Sequence, residues 1–282
     1  MKIQTIPQTI EIEGSNSLPI SLDVSINSLG MKNSPVVIFC HGYKGFKDWG
    51  CWNLVAEKFA NSGFNFLKFN FSHNGVTSSK RTEFDDLNAF GNNNYTKELS
   101  DLESVINWVK SEKSKDPLFD TDSIFIIGHS RGGGIVSLAA AQNENLKRAV
   151  VWASVFDLTA RLPKNTEEWK KQGVVYQLNG RTNQEMPLFY QFYENTILNK
   201  RELSIAIQGK KVSIPFCIIH GMDDKAVSFE EAEKLHEVIP TSELILMENT
   251  GHTFGSWHPW KENHLPNELN EAVEETIQFL KD

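Results

Sequence analysis

Clustered positive charge is missing from this chain of 282 residues. Its 28 Lys and Arg stand against 36 Asp and Glu, a net charge of -8. Nucleic acids and anionic membranes both attract dense Lys/Arg patches, so neither is an expected partner. Lys210 and Lys211 form a short, isolated basic pair that reads as solvated loop. Long apolar runs are missing too: none approaches the ~18 residues of a membrane span. Residues 1–7 hold no apolar stretch of the kind an export leader carries. Cysteine is scarce, and Cys40, Cys51 and Cys217 have no metal-ligand or redox spacing. Cys40 and Cys217 lie inside apolar runs, where a thiol is a packing residue. These absences set the expectation of a cytoplasmic protein. Neither H-E-x-x-H nor a phosphate-binding G-x-x-x-x-G-K-[ST] occurs, so neither metal nor organic cofactor is expected. There is no internal repeat and no low-complexity segment.

What is present is an alternation of apolar runs and helical patterns. Residues 8–27 alternate loosely and predict an antiparallel hairpin broken at Gly14-Ser15-Asn16. The short apolar run at 36–40 predicts a strand covered on both faces, and runs at 64–71, 124–127, 150–153, 216–219 and 244–247 predict the other strands of the series. Trp52, Val55, Ala56 and Phe59 recur at helical spacing. So do Leu99, Leu102, Val105, Ile106 and Val109, with Asp101, Glu103 and Lys110 placed on the outward face. Leu269, Val273, Ile277 and Leu280 stripe a last helix. The pattern predicts an α/β fold, a mostly parallel twisted sheet with helices on both faces. Residues 156–211 interrupt the rhythm, and an insertion of that length suits a cap over the carboxyl ends of the strands. The expected division is a core of residues 1–155 and 212–282, with the cap between.

One motif carries the chemistry. Gly128-His129-Ser130-Arg131-Gly132 joins an apolar run to a small-residue helix, the sequence form of a nucleophile elbow. A serine hydroxyl is a weak nucleophile and needs a base, which in turn needs a partner to fix its tautomer. In this architecture the chain order is serine, acid, histidine. Asp224 follows the 216–219 run and is the first candidate acid; Asp223 is its rival, and Asp157 a weaker one. An Asp in such a place also commonly caps the next helix. His252 follows the 244–247 run and is the candidate base. His258 and His264 lie farther along that loop, His236 reads as helix surface, and His129 and His220 flank other motifs as orienting groups. The oxyanion needs fixed N–H donors. The Arg131 amide, at a helix start, is one candidate. The Tyr43 amide, in the loop His41-Gly42-Tyr43-Lys44-Gly45-Phe46, is the other.

At this point the chain resembles the α/β-hydrolase superfamily, over about residues 30–280 apart from the cap. His41-Gly42 resembles its oxyanion loop, Gly128 to Gly132 its elbow, His220-Gly221-x-x-Asp224-x-x-Val227 its acid motif and Gly251-His252 its histidine motif. Within the superfamily it looks most like the dienelactone-hydrolase-like and cinnamoyl or feruloyl esterase-like proteins. It departs from them at Arg131, where many carry glutamine, and at Ser228, where a proline is usual. The resemblance implies a serine hydrolase cleaving small-molecule carboxylic esters through an acyl-enzyme. A peptidase or amidase, an acyltransferase or thioesterase, and a catalytically silent binding protein are the alternatives. Trp169, Tyr176, Phe189, Tyr190, Phe192 and Tyr193 of the cap are candidates for clamping an apolar or aromatic acyl group, a hydroxycinnamate among them. Packing the cap onto the core is their competing role. Trp257 and Trp260 are candidates for a further wall. The oligomeric state stays open, with a homodimer among the options.

Overall fold

The computed structural model describes residues 8–111 and 118–282. The 1–7 stretch read above for a leader lies outside them. An eight-stranded sheet forms the centre. Its strands are β1 (Gln8–Glu13), β2 (Pro19–Ser25), β3 (Ser34–Cys40), β4 (Asn65–Phe69), β5 (Phe119–His129), β6 (Leu146–Trp152), β9 (Phe216–Gly221) and β10 (Ser242–Met247). The order is β1-β2-β4-β3-β5-β6-β9-β10. β1 and β2 form the expected antiparallel hairpin, β2 meets β4 antiparallel, and the remaining pairs are parallel.

Alternation along the strands divides the core in two. Val36, Ile38 and Cys40 face one side, with Ile124 and Ile126 of β5. Val37 and Phe39 face the other, with Phe125 and Ile127. The first side is covered by α3 (Tyr95–Lys110), α4 (Arg131–Ala140) and α8 (Glu230–Val238). The second is covered by α1 (Trp52–Asn61) and α9 (Asn267–Lys281). Every residue of α4 is buried, as befits a helix pressed between sheet and neighbours. A short α2 (Leu87–Gly91) precedes α3. No helix of the described residues is long and apolar enough to cross a membrane.

Asp101 corrects one expectation. The helical spacing put it on the outward face, yet it is 1% exposed. Its carboxylate accepts hydrogen bonds from the Ser15 and Ser72 amides, both at 2.8 Å, and from the Ser72 hydroxyl at 2.7 Å. It ties the break in the first hairpin and the loop after β4 to α3. Satisfied carboxylates of this kind are invisible to an apolar pattern.

Residues 156–211 fold as α5 (Thr166–Gln172), an antiparallel pair β7 (Val174–Asn179) and β8 (Gln184–Phe189), α6 (Gln191–Leu198) and α7 (Ile205–Gln208). The β7–β8 pair is a sheet of its own. Gln191 and Asn195 of α6 dock the segment: Gln191 Nε2 donates to the Asn93 carbonyl, and Asn195 Nδ2 donates to Thr96 Oγ1.

A buried charge cluster holds the edge of the sheet. Asp23 of β2 stands directly opposite Lys68 of β4 in the antiparallel ladder. Lys68 Nζ lies 2.8 Å from Asp23 Oδ2, and Lys47 Nζ lies 2.7 Å from both that atom and Asp48 Oδ2. Burial raises the Asp23 carboxyl, but Lys68 and Lys47 outweigh it and bring it down to about 2. Removing one partner of such a set leaves an uncompensated buried charge, at about 3–5 kcal/mol. Lys68→Met is therefore expected to destabilise the fold by about 3 kcal/mol in urea unfolding; a loss under about 1 kcal/mol would contradict this reading. Lys47 also anchors the 42–51 loop through its amide, which donates to Asn70 Oδ1 at 2.7 Å.

Candidate active site

The elbow sits between β5 and α4. Ser130 holds φ 56° and ψ -119°, a strained backbone for a residue with a Cβ. Its amide donates to the Trp152 carbonyl at 2.9 Å, which anchors the turn to β6. The two motif glycines have no room for a side chain. A Cβ on Gly128 would lie 2.3 Å from the Gly132 carbonyl oxygen, and one on Gly132 would lie 2.4 Å from that of Cys40. Strand and helix therefore cross closely enough to lift the serine hydroxyl out of the fold.

Three separated side chains meet there. Ser130 Oγ and His252 Nε2 are 3.0 Å apart, and His252 Nδ1 lies 2.7 Å from Asp224 Oδ2. Asp224 is buried at the end of β9, and its Oδ1 accepts from the Ala226 and Val227 amides at 2.8 and 2.9 Å. Burial raises the Asp224 carboxyl, but the His220 and His252 hydrogen bonds more than reverse this. It is held well below the usual carboxylate range. An ionised Asp224 fixes the His252 proton on Nδ1 and leaves Nε2 bare toward the serine.

Asp223, the rival acid, is exposed and contributes only its amide, which donates to the Thr250 carbonyl. Asp157 caps the turn at 159–161 through its Oδ1. The loops bearing Asp224 and His252 cross at Gly221, where a Cβ would lie 2.2 Å from the Thr250 carbonyl oxygen.

His129 Nε2 donates to the His252 carbonyl at 2.9 Å, and His220 Nε2 donates to the Val227 carbonyl at 3.0 Å. Both orient the loops of the triad. His258 Nδ1 accepts from the Gly50 amide. His236 packs against Ser242 at the surface, and His264 lies exposed beside Asn263.

Burial pushes His41 and His73 from 6.5 down to about 4, and His129 to about 3. Below pH 6.5 the unfolded chain binds protons that these buried rings refuse. Their contribution is complete above 6.5 and is lost as pH falls toward 4 and then 3. The urea midpoint is expected to drop measurably between about pH 7.5 and about pH 5, before most carboxylates titrate. A flat midpoint would contradict neutral, buried rings.

The Tyr43 and Arg131 amides donate to no protein acceptor among the described residues. The loop carrying Tyr43 packs against the elbow: a Cβ on Gly42 would lie 3.0 Å from Ser130 Cβ. The Arg131 side chain turns inward. It lies 3.4 Å from Glu98 and stacks on the Tyr43 ring, its guanidinium carbon 3.8 Å from the centroid. This buried pair holds the Tyr43 loop from below, and no residue spacing announced it.

A cleft of about 320 Å³ opens on Ser130 and His252. Trp49 and Trp52 wall it, the 42–45 loop forms one rim, and Asn179, Gly180 and Arg181 at the tip of the β7–β8 pair form the other. None of the six cap aromatics singled out from the sequence lines it. Trp169 is fully buried and donates its indole N–H to the Leu188 carbonyl. Tyr190 and Tyr193 stack on each other and pack against it. Phe192 lies on Tyr95, Phe189 covers Gly91, and Tyr176 is exposed. All of these rings but Tyr176 are packing residues of the 156–211 segment, the competing role weighed above. Trp257 and Trp260 pack on each other, with Trp257 largely exposed, and neither lines the cleft. The actual wall residues, Trp49 and Trp52, come shortly after the 42–45 loop, so nearness along the chain to that loop was the signal available.

Sequence comparison places residues 83–270 in the prolyl oligopeptidase family, a match across more than half of the chain. The chain belongs to the prolyl oligopeptidase family. This member of the family is also 31% identical, over 117 residues, to an Escherichia coli protein named as an uncharacterized 31.7 kDa protein in the traX-finO intergenic region. That alignment covers 40% of this chain and 35% of the relative. Solved structures share the fold. Est1E from Butyrivibrio proteoclasticus gives a TM-score of 0.68 at 17% identity, over 97% of this chain and 98% of that one. The α/β hydrolase GrgF from Penicillium sp. sh18 gives 0.74 at 15%, over 98% of each chain. A putative dienelactone hydrolase from Klebsiella pneumoniae gives 0.62 at 14%, over 98% of each. The α/β-hydrolase fold expected from the elbow and the strand series is thus the fold this family member has.

Proposed function

We propose that this chain is a serine carboxylic ester hydrolase that works through an acyl-enzyme. The observation that carries the reading is the continuous relay from Ser130 Oγ through His252 to an ionised Asp224, at 3.0 and 2.7 Å. His252 Nε2 takes the Ser130 proton as the hydroxyl attacks the ester carbonyl. The Tyr43 and Arg131 amides receive the oxyanion. His252 then gives the proton to the leaving alcohol, and water repeats the sequence to free the acid.

Residues 156–211 act as a cap. Their hairpin tip roofs the cleft through contacts with the 42–45 loop: Tyr43 Oη donates to Gln177 Oε1 at 3.1 Å, and Lys44 Nζ donates to the Leu178 carbonyl at 3.0 Å. The Trp49 and Trp52 faces suit an apolar or aromatic group of the ester. A structure of Est1E holds ferulic acid, a ligand of that kind.

The family's name supports a second reading, a peptidase with the same relay. The roofed cleft favours the ester reading, because about 320 Å³ lies at the small end of ligand sites and leaves little room for a polypeptide. Matched p-nitrophenyl esters and p-nitroanilides of the same acyl group separate the two. Ester kcat/KM is expected to exceed that of the anilide by about 10³ or more. Comparable anilide turnover, extending to short peptides, would overturn the ester reading.

A further inference from the structure

The cleft wall beyond the triad is chemically one-sided. No carboxylate among the described residues lines it, although the chain holds 36 Asp and Glu. Two cations do line it, Lys44 on the oxyanion loop and Arg181 on the hairpin tip. Neither forms an ion pair among the described residues. Lys44 Nζ donates to the Leu178 carbonyl, and Arg181 Nη2 donates to the Lys44 carbonyl. The third nearby cation, Arg131, is matched by Glu98.

Two residues that line the same cleft carry further donors. Trp49 Nε1 and Asn179 Nδ2 are buried with no hydrogen-bond partner among the described residues, on residues 7% and 2% exposed. Asn179 gives its side-chain oxygen to the Arg181 amide at 3.2 Å, which leaves its NH₂ end to donate elsewhere. Buried N–H groups without acceptors are uncommon and call for an acceptor that the protein does not supply. Arg181 also lies over the Trp49 ring, its guanidinium carbon 5.2 Å from the centroid, so the cation and one of the idle donors are neighbours.

We propose that the natural ester carries a carboxylate, bound at the hairpin tip by Arg181 and Lys44 and by the spare N–H donors of Asn179 and Trp49. The inference rests on the ester-hydrolase reading and deepens it by naming the charge of the substrate. A carboxylate accepts up to about four hydrogen bonds, and an Arg fork matches its plane. The apolar remainder of the molecule lies along Trp52. A neutral ester would fill the same space and leave cations and donors unmatched, so the wall selects for charge.

The test uses two pairs of substrates. On the alcohol side, 4-butyryloxybenzoate is compared with its carboxamide analogue. On the acyl side, a p-nitrophenyl hemiglutarate is compared with the ester of the glutaric monoamide. In the wild-type protein kcat/KM is expected to favour the carboxylate member of at least one pair by about tenfold. Arg181→Gln should collapse that ratio toward one, and Arg181→Glu should invert it. Taking the ratio within each variant cancels any general change in rate. Reaction of every variant with a neutral fluorophosphonate reports whether the triad is assembled. A labelled, ester-cleaving enzyme with no carboxylate preference in either pair overturns this proposal alone. So does a preference that survives Arg181→Glu. A folded protein that neither labels nor cleaves any ester overturns the hydrolase reading instead.

Discussion

Ser130→Ala is expected to lower kcat on a p-nitrophenyl ester by about 10⁵–10⁶, with the urea midpoint little changed. The substitution removes one oxygen atom and keeps the Cβ, so the backbone strain at φ 56° and the packing of the elbow persist. What disappears is the only group among the described residues within hydrogen-bond reach of His252 Nε2, at 3.0 Å. His252→Ala should cost about as much, and the double substitution little more than either single one, because nucleophile and base act as a unit. Additive losses would mean that the two residues act separately. Steady-state kinetics with active-site titration, to exclude contaminating wild type, decides between these outcomes.

Asp224→Asn should cost about 10⁴ in kcat, while Asp223→Asn stays within about twofold. The geometry fixes how the asparagine sits. The Ala226 and Val227 amides point at Oδ1 and demand an acceptor there. The side-chain NH₂ must then occupy the place of Oδ2, 2.7 Å from His252 Nδ1. A donor at that position forces the His252 proton onto Nε2, where it faces Ser130 and cannot accept the hydroxyl proton. The barrier comes from a wrong tautomer, so the variant should fold normally. Asp223 has no such contact, since only its amide engages the Thr250 loop. Near-normal turnover by Asp224→Asn, or a large loss in Asp223→Asn, would contradict the assignment of the acid.

Much of this architecture was legible because the chemistry of the elbow leaves local marks. The G-x-S-x-G motif needs glycines where α4 crosses β5 and β3: a Cβ added on Gly128 would lie 2.3 Å from the Gly132 carbonyl oxygen, and one added on Gly132 would lie 2.4 Å from that of Cys40. The central strands announced themselves as apolar runs because both of their faces are covered, with alternate residues feeding two cores. Asp224 and His252 were legible through their place after β9 and β10.

What escaped is what depends on contacts between distant segments. Asp101 reads as surface on its own helix, and only Ser15 and Ser72 make it an interior group. The Glu98–Arg131 pair joins α3 to α4, and no spacing encodes it. Lys68 did leave a trace, a charge inside an otherwise covered strand, although its partner Asp23 lies 45 residues earlier. The cap aromatics misled because aromatic side chains seal an insertion as readily as they line a pocket. Trp169 and Phe192 joined the core, and the cleft wall came from Trp49 and Trp52 instead.

The most direct measurement is intact-mass and peptide mapping of the protein after reaction with a fluorophosphonate. An assembled relay predicts one adduct per chain, on Ser130, formed rapidly in the wild type and absent from Ser130→Ala. A folded protein that gains no adduct, or gains one on a different residue, would contradict the claim that this hydroxyl is the activated nucleophile.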